Sequence, residues 1–452
     1  MNIVIIGLGK IGESILSNIV KEGHDLCVID NDRDVVNELV DLYDVLGVCG
    51  NGASIDIQLK ANVDKSDVVI ACTSSDEVNL LACLIAKKNG AKHTIARIRN
   101  HDYYNQINFM KKDLGLSMII NPEQEAANEI ARIIDFPEAN RIDTFARGKV
   151  DLVELSIEED NPICGMPLSQ IRQKFQVQIL VCAVQRGEEV IIPDGFFVIQ
   201  AKDRIHVTAP RNEIIKLIDK MEMKKQKIKS VMILGGSRIA FYLTNTLLKS
   251  DHKVTIIEND KAHCEFLSEA IPDATIVYGD GTEQEVLNDE GIGHTGAFVA
   301  LTGFDEENMV TSMYANIMKV PKVICKINRS GFSQMAASTG VATIISPKQI
   351  IANRVIRYIR ALNSTRGNEV LTLYKLVNNE IEALEFIVHA ESKCIGIPLK
   401  DLNLKKGILI CSILRDKKII IPGANDFIKE NDNVIVVTSN HLIDELDDIL
   451  VA

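Results

Sequence analysis

The sequence lacks any segment that could cross a membrane as a helix. No apolar run approaches the roughly 18 residues that a bilayer span requires. The apolar start of the chain, residues 1–6, has neither the basic flank nor the length of a signal peptide. We therefore expect a cytoplasmic protein that does not itself enter the membrane.

The sequence also lacks an excess of positive charge. Fifty lysines and arginines stand against 62 aspartates and glutamates, which gives a net charge of −12. Such a chain repels a phosphate backbone, so we expect no nucleic acid partner. Apolar residues make up 46% and charged residues 25%, as in ordinary folded proteins. The length of 452 residues predicts about three domains at roughly 150 residues each.

A zinc or disulfide pattern is lacking as well. The ten cysteines include no Cys-x-x-Cys pair, and most stand among valine, isoleucine and leucine. We interpret them as reduced, buried packing residues. His263 and Cys264, with His294 further along, are the one cluster of metal-ligating residue types, and their spacing fits no zinc pattern. We predict no metal site.

What the chain does contain is an internal duplication. Residues 3–30 read IVIIGLGKIGESILSNIVKEGHDLCVID, and residues 231–258 read VMILGGSRIAFYLTNTLLKSDHKVTIIE. Residues 68–79 (VVIACTSSDEVN) match residues 297–308 (AFVALTGFDEEN). Because matching sequences fold into matching units, we expect the whole fold to occur twice.

Each half divides again by its hydrophobic pattern. Residues 1–124 alternate short apolar runs with amphipathic ones, which predicts a parallel, doubly wound sheet. Residues 143–227 carry short strand-like runs and a final helix, which indicates a small α+β unit. The copies are residues 228–350 and 368–452. We thus predict an α/β protein with four domains, in which two Rossmann-like doubly wound parallel-sheet domains alternate with two small α+β domains.

A glycine motif directly follows the first apolar run and opens a helix. Gly7 permits a tight turn, Gly9 lets the backbone approach a pyrophosphate, and Gly12 lets the helix lie close to the sheet. The phosphate would then lie at the positive end of the helix. Asp30 follows the second strand, where a carboxylate binds ribose hydroxyls and favours NAD over NADP. The alternative is a doubly wound domain without a nucleotide.

Further candidates follow the later strands, because ligands of such sheets bind beyond the carboxyl ends of the strands. Asn51 follows the third strand, Thr73 and Ser74 follow the fourth, and Arg97 ends the fifth. Arg97 could pair with a phosphate, or it is an ordinary surface arginine. Ser74 also has capping-box spacing to Glu77, so helix capping is its alternative role.

The second copy changes the glycine motif. Ser237 stands where the first copy has Gly9, and Ala240 stands where it has Gly12. A serine side chain there intrudes where a pyrophosphate must approach. We expect the second site to bind a dinucleotide more weakly than the first, or to bind a different nucleotide. Its candidate residues are Gly235, Gly236, Ser237, Arg238, Glu258, Asp280, Thr302 and Lys326.

No arrangement for proton transfer accompanies the nucleotide motifs in the sequence. A dehydrogenase pairs its Rossmann domain with a catalytic acid, base or nucleophile. His206 has no counterpart in the copy, where Ile435 takes its place. Cys164 has no basic residue at a spacing that would indicate a catalytic pair. This favours a ligand sensor that is not an enzyme. An NAD-dependent oxidoreductase stays the alternative, because spacing does not exclude a site assembled in space.

The order of these motifs resembles the TrkA family, in which two RCK (regulator of potassium conductance) units follow one another. The resemblance spans nearly the whole chain and rests on the glycine motif, Asp30, residues 73–79, residues 95–99, Asn121-Pro122 and the Gly-x-Pro-Leu motifs at 165–168 and 396–399. It implies that the phosphates are lined by Gly7, Leu8, Gly9, Lys10 and Ile11. It further implies that Asp30 contacts the ribose, Thr73 and Ser74 the adenosine side, and Arg97 a phosphate.

The resemblance also implies a function. It implies a nucleotide-binding regulatory subunit of bacterial potassium uptake, with NAD(H) as the expected ligand and ATP, ADP or another adenine nucleotide as alternatives. The expected partner is a membrane-embedded potassium transporter subunit of the Trk type, against whose cytoplasmic face a homo-oligomeric ring, a dimer or tetramer of tandem chains, would lie. A free-standing nucleotide sensor is the other alternative. Residues 121–140, which start with a predicted helix, are the candidate coupling segment.

Overall fold

The computed structural model describes most of the chain, and contact density divides it into two compact units. The described residues are 1–100, 103, 106, 111, 113–145, 150–222, 227–329, 332, 335, 341, 343–364, 370–376, 381–416, 418–439, 443 and 445–451. The first unit comprises residues 1–128 and 346–359, and the second comprises residues 129–345 and 360–452. Within the described ranges, none of the helices has both the length and the apolar character of a membrane span.

The first unit is built on a six-stranded parallel sheet with the strand order β3-β2-β1-β4-β5-β6. Its elements are β1 (Asn2–Ile6), α1 (Lys10–Ile19), a 3-10 turn (Val20–Glu22), β2 (Asp25–Asp30), α2 (Arg33–Tyr43), β3 (Leu46–Cys49), α3 (Ile55–Lys60), a 3-10 turn (Val63–Lys65), β4 (Val68–Ala71), α4 (Asp76–Asn89), β5 (His93–Arg97), β6 (Met118–Ile120) and α5 (Pro122–Asp135). The order reverses between β1 and β4, which is where doubly wound sheets place their ligands.

The sequence explains why these elements form. The central strands β1 and β4 are runs of valine, isoleucine and alanine that are almost completely buried, as strands covered on both faces require. Side-chain caps start the helices: Asp32 accepts from the backbone at the start of α2, and Asn121 accepts from Gln124 N at the start of α5. Helix α4 is capped by Ser75, which accepts from Val78 N at 3.2 Å. The capping role considered for Ser74 therefore belongs to its neighbour.

The second unit contains a second parallel sheet, ordered β14-β13-β12-β15-β16-β17, and two five-stranded antiparallel sheets, ordered β10-β9-β11-β8-β7 and β18-β19-β22-β20-β21. The elements that follow α5 along the chain are β7 (Arg141–Phe145), β8 (Val150–Ser156), α6 (Leu168–Phe175), β9 (Leu180–Arg186), β10 (Glu189–Ile191), β11 (Arg204–Ala209), α7 (Arg211–Lys220), β12 (Ser230–Leu234), α8 (Arg238–Leu248), β13 (Lys253–Glu258), α9 (Lys261–Ala270), β14 (Thr275–Tyr278), α10 (Gln284–Asp289), a 3-10 turn (Ile292–His294), β15 (Ala297–Ala300), α11 (Asp305–Ile317), β16 (Lys322–Lys326), β17 (Thr343–Ile345), α12 (Pro347–Ser364), β18 (Val370–Leu376), β19 (Ile381–Ile387), a 3-10 turn (Leu399–Asp401), β20 (Ile408–Arg415), β21 (Lys418–Ile420), β22 (Asn433–Thr438) and a 3-10 turn (Leu446–Ile449). Helices α5 and α12 each contain residues of both units.

This architecture confirms the predicted fold class, two doubly wound parallel sheets alternating with two small α+β sheets. The duplication extends to single side chains of the antiparallel sheets. Arg186 donates two hydrogen bonds of 2.8 Å to the buried carboxylate of Asp203, and Arg415 donates bonds of 2.9 and 2.7 Å to that of Asp432. The sequence analysis did not foresee the short helices α3 and α6 or the edge strand β6.

Candidate functional site

The loops after β1 and β4 lie against each other at the carboxyl edge of the first sheet. Gly7 has a φ of +91°, and a Cβ on it would lie 2.6 Å from Thr73 N, so this position requires glycine. Gly7 N also donates to Ile29 O at 2.8 Å, which ties the turn to β2. The contacts bring together the predicted residues of the first and fourth strand ends.

The remaining two glycines have different roles. A Cβ on Gly12 would lie 1.9 Å from Gly7 O, so Gly12 allows α1 to begin directly beneath the loop. A Cβ on Gly9 would meet no heavy atom of the described chain within 4 Å. Gly9 is the N-cap of α1 and brings no side chain to that helix end. Space and unpaired backbone donors therefore coincide at Gly9, as an approaching phosphate requires.

Leu8, Lys10 and Ile11 complete the loop. Leu8 and Ile11 are buried, whereas Lys10 is exposed at the start of α1. The Asp30 carboxylate accepts from Leu8 N at 2.6 Å and from Asp32 N at 3.0 Å. Asp30 thus fixes the loop from the end of β2, and each of its oxygens keeps a lone pair for a ribose hydroxyl.

Asn51, Thr73 and Ser74 differ from one another in exposure and in hydrogen-bond partners. Asn51 is exposed after β3, and its side chain accepts from Ala53 N at 2.9 Å, so it shapes its own turn. Thr73 is partly buried, and its hydroxyl lies 2.8 Å from Asn79 Oδ1. Ser74 is exposed, and its carbonyl accepts a hydrogen bond from Arg99.

Two side chains that the sequence analysis did not single out hold the loop after β4 in place. Asn79 is fully buried; its Oδ1 accepts from Thr73 N at 2.7 Å, and its Nδ2 donates to Arg97 O at 2.9 Å. Asp76 accepts at 2.8 Å from the backbone of Arg99 and of Asn100. The repeated Asp-Glu-x-Asn sequence was the available signal, since both residues recur in the copy.

Arg97 is mostly buried and is not a surface arginine. Its NH2 lies 3.6 Å from Glu123 Oε1, and its Nε is buried without a hydrogen-bond partner among the described residues. Burial lowers the pKa of the Arg97 guanidinium, and the carboxylate of Glu123 opposes that shift. A buried guanidinium with an unsatisfied donor suits an anionic ligand.

The second parallel sheet repeats the backbone framework of the first. Gly235 has a φ of +90°, and Glu258 accepts from Gly236 N at 2.7 Å, as Asp30 does from Leu8. Asn308 accepts from Thr302 N at 2.8 Å, as Asn79 does from Thr73. Asp280 accepts from Thr282 N at 2.9 Å, as Asn51 does from Ala53 N, and it also accepts from the Thr282 hydroxyl at 2.7 Å. The two copies share this framework even where the residue types differ.

The side chains facing this second cleft differ from those of the first. A cavity of about 280 Å³ is lined by residues of all four strand ends, among them Gly235, Gly236, Ser237, Glu258, His263, Asp280, Thr302, Phe304 and Glu307. Lys326 does not line it: its Nζ donates to Thr302 O at 2.5 Å and to Leu301 O at 3.4 Å. Arg238 is exposed at the start of α8.

The hydrogen-bonding groups of the first cleft suit an adenine dinucleotide or an adenine nucleotide. The open approach at Gly9, the free start of α1 and the unsatisfied Arg97 Nε suit phosphates, and Asp30 suits a ribose. No group of three or more metal-ligating side chains occurs within the described ranges.

Comparison with known proteins matches nearly the whole chain. The TrkA-N domain family matches residues 3–122 and 231–347, and the TrkA-C domain family matches residues 152–222 and 383–451. The Trk system potassium uptake protein TrkA of Halomonas elongata is 30% identical over 449 residues, 98% of this chain and 95% of that protein. TrkA of Vibrio alginolyticus is 28% identical over 447 residues, 97% of this chain and 96% of that protein.

Solved structures share the fold at low sequence identity. The GsuK channel aligns with 97% of this chain and 76% of its own, with a TM-score of 0.65 and 15% identity. The GsuK channel bound to NAD aligns over the same shares with a TM-score of 0.64 and 15% identity. GsuK bound to ADP aligns with 79% of this chain and 69% of its own, with a TM-score of 0.52 and 13% identity.

Proposed function

Because the chain belongs to the TrkA family, with its TrkA-N and TrkA-C domains in tandem, we propose that it is the nucleotide-binding regulatory subunit of a potassium uptake system. Relatives that are named potassium uptake proteins cover almost its full length, which supports this function. The proposed partner is a membrane-embedded potassium-conducting subunit of the Trk type. The chain would lie on the cytoplasmic face of that subunit as a homo-oligomeric ring.

NAD(H) is the ligand that we propose for the first cleft, with ATP or ADP as the alternative. The observation that carries this proposal is the coincidence of the open Gly9, the free start of α1 and the unsatisfied Arg97 Nε at one sheet edge. Asp30 would accept hydrogen bonds from the ribose and would repel a 2′-phosphate. Solved relatives in fold include one bound to NAD and one bound to ADP.

The nucleotide would act as a regulatory ligand and not as a redox substrate. The thiol nearest the glycine loop, Cys72, is buried, and its burial raises its pKa to about 12, so it is no nucleophile at neutral pH. Regulation requires that the nucleotide binds one conformation of the ring better than another. A coupling of about 1–3 kcal/mol, or roughly 5- to 150-fold in affinity, would be typical.

A glutamate at position 9 tests this function. Gly9 has φ −65° and ψ −177°, which any residue adopts, and no described atom obstructs a Cβ there. Gly9→Glu therefore leaves the fold intact and places a carboxylate where a phosphate would lie. Gly195→Glu is the matched control, because Gly195 is exposed and a Cβ there meets only Ser169 Cβ, at 3.7 Å.

The measurements are calorimetric binding of NADH and NAD⁺ to the full chain, and potassium flux through vesicles that contain the chain and its membrane subunit. We expect Gly9→Glu to abolish binding in the first cleft and the response of the flux to nucleotide, and Gly195→Glu to change neither. If nucleotide leaves the flux of the unmodified complex unchanged, the regulatory function is refuted. Turnover of NADH with a metabolite would instead establish the oxidoreductase alternative.

A further inference from the structure

The two parallel sheets present clefts with the same backbone framework but different charge. The second cleft is lined by the carboxylates of Glu258, Asp280 and Glu307, and none of its described lining residues is lysine or arginine. The buried cation at its strand ends, Lys326, is engaged with the carbonyls of its own neighbouring loop. In the first cleft the equivalent strand end carries Arg97, whose Nε is unsatisfied.

Sequence differences at matched positions produce this contrast. Asp280 occupies the position of Asn51, and Glu307 occupies the position of Val78. The hydrogen bonds from the Thr282 hydroxyl and backbone lower the pKa of the Asp280 carboxyl, so it is ionised at neutral pH. Each added phosphate charge would therefore face three carboxylates, with no lysine or arginine among the described lining residues, and such repulsion costs affinity.

A side chain also occupies the glycine loop of the second cleft at the position that is open in the first. Ser237 replaces the open Gly9, and its Oγ is buried without a hydrogen-bond partner among the described residues. The His263 ring donates from Nε2 to Gly236 O at 2.7 Å and lies over the glycine loop. The cavity of about 280 Å³ is just below the roughly 300–1,000 Å³ that is common for ligand pockets.

The remaining lining residues suit a nucleoside. Phe304 lines the cavity with an exposed ring on which a base can stack. The Glu258 carboxylate fixes Gly236 N and Asp260 N and keeps lone pairs for ribose hydroxyls. The Ser237 hydroxyl can donate to one phosphate or to a ribose oxygen.

We propose that the second cleft binds a nucleoside or a nucleoside monophosphate and selects against dinucleotides and nucleoside triphosphates through Ser237, Asp280 and Glu307. This inference rests on the proposed nucleotide-binding function and assigns a separate ligand class to the second cleft. The chain would then respond to two ligands, one for each parallel sheet.

The test uses the full chain with the first cleft blocked by Gly9→Glu. Calorimetry with adenosine, AMP, ADP, ATP and NAD⁺, each with and without magnesium, should give binding of adenosine or AMP at one equivalent per chain and at least tenfold weaker binding of ADP, ATP and NAD⁺. Adding Ser237→Glu should remove the AMP signal while thermal unfolding stays unchanged. Binding of NAD⁺ or of ATP with magnesium as tight as that of AMP would overturn the proposal, and so would the absence of binding by both adenosine and AMP.

An exchange of residues between the clefts tests the selecting side chains. In the blocked chain, Ser237→Gly together with Asp280→Asn should raise the affinity for NAD⁺ at least tenfold relative to AMP; an unchanged ratio refutes their role. The reverse exchange is Asn51→Asp in the otherwise unmodified chain. It should weaken the binding of NAD⁺ in the first cleft, because the introduced carboxylate would keep the turn but add a negative charge that repels the phosphates. Failure of NAD⁺ to bind the unmodified chain, with AMP still bound in the second cleft, would refute the proposed function of the first cleft alone.

Discussion

Replacing the buried Asn79 by alanine should loosen the first cleft more than the same change loosens the second. Asn79 accepts from Thr73 N at 2.7 Å and donates to Arg97 O at 2.9 Å and to Thr73 O at 3.3 Å. Asn79→Ala removes these three bonds, and also the bond that the Thr73 hydroxyl donates to Asn79 Oδ1 at 2.8 Å, at a site that is closed to solvent. The loop after β4 then loses its connection to the end of β5.

The magnitude follows from the groups left without partners. An unsatisfied buried donor or acceptor costs about 1–3 kcal/mol, so Thr73 N and Arg97 O together cost about 2–6 kcal/mol. For Thr73 N alone, about 1–3 kcal/mol corresponds to roughly 5- to 150-fold faster amide exchange. In the second cleft, Asn308→Ala removes equivalent bonds, but Lys326 Nζ still donates to Thr302 O at 2.5 Å.

Hydrogen exchange followed by mass spectrometry on both variants measures this difference. We expect peptides around Thr73 to exchange faster in Asn79→Ala than peptides around Thr302 do in Asn308→Ala. NADH affinity should fall in Asn79→Ala and stay unchanged in Asn308→Ala. Equal exchange in the two loops, or a loss of NADH binding in both variants, would refute the reasoning that Lys326 provides a second connection.

Three further changes have defined outcomes. Gly12→Ala places a Cβ within 1.9 Å of Gly7 O, so α1 must move away from the loop, as the copy must allow for Ala240; calorimetry should therefore show weaker NADH binding while the strands still fold. Asp203→Ala leaves the Arg186 guanidinium without its buried partner; since Arg186 is about a third exposed, we expect a loss below the 3–5 kcal/mol of a fully buried pair, measured by urea unfolding. Burial raises the pKa of the Asp151 carboxyl, and the charges of Arg211 and Arg132 oppose this shift. The folded state therefore binds the Asp151 proton more tightly than the unfolded state does. The contribution of Asp151 to the free energy of unfolding then falls as the pH rises from the ordinary aspartate pKa through the raised pKa. Asp151→Asn should therefore raise the melting temperature at pH 7 and have less effect below the ordinary aspartate pKa; a lower melting temperature at pH 7 would contradict this.

The alternation of parallel and antiparallel sheets could be predicted from the sequence, because strands buried on both faces are continuous apolar runs. Val68–Ala71 is such a run, and all four of its residues are buried. Helix starts could also be predicted where a capping residue precedes the helix, as Asn121 precedes α5. The short strand β6 could not be predicted, because three residues carry no periodicity that distinguishes a strand from a buried loop.

The candidate site could be predicted from the sequence only in part. The positions of Gly7, Gly12 and Asp30 follow from backbone requirements, and motif spacing expresses those requirements directly. The hydrogen bonds of Asn79 join residues that are 6 and 18 positions away, and spacing alone does not reveal such partners. The capping serine was misplaced by one residue for a similar reason, because Ser74 and Ser75 are equivalent in residue type and only the backbone decides between them.

The duplication separates what the fold needs from what the ligand needs. The bonds shared by both copies, such as Asp30 to Leu8 N and Glu258 to Gly236 N, tolerate a change of carboxylate because either side chain reaches the same amide. The positions that differ in charge, Asn51 and Asp280, accept the same backbone hydrogen bond and so form the same turn. Differences that leave the framework intact but change the facing charge are those expected when two clefts serve different ligands. Under the ligand assignment proposed above, the second cleft is a distinct input to regulation and not a decayed copy of the first.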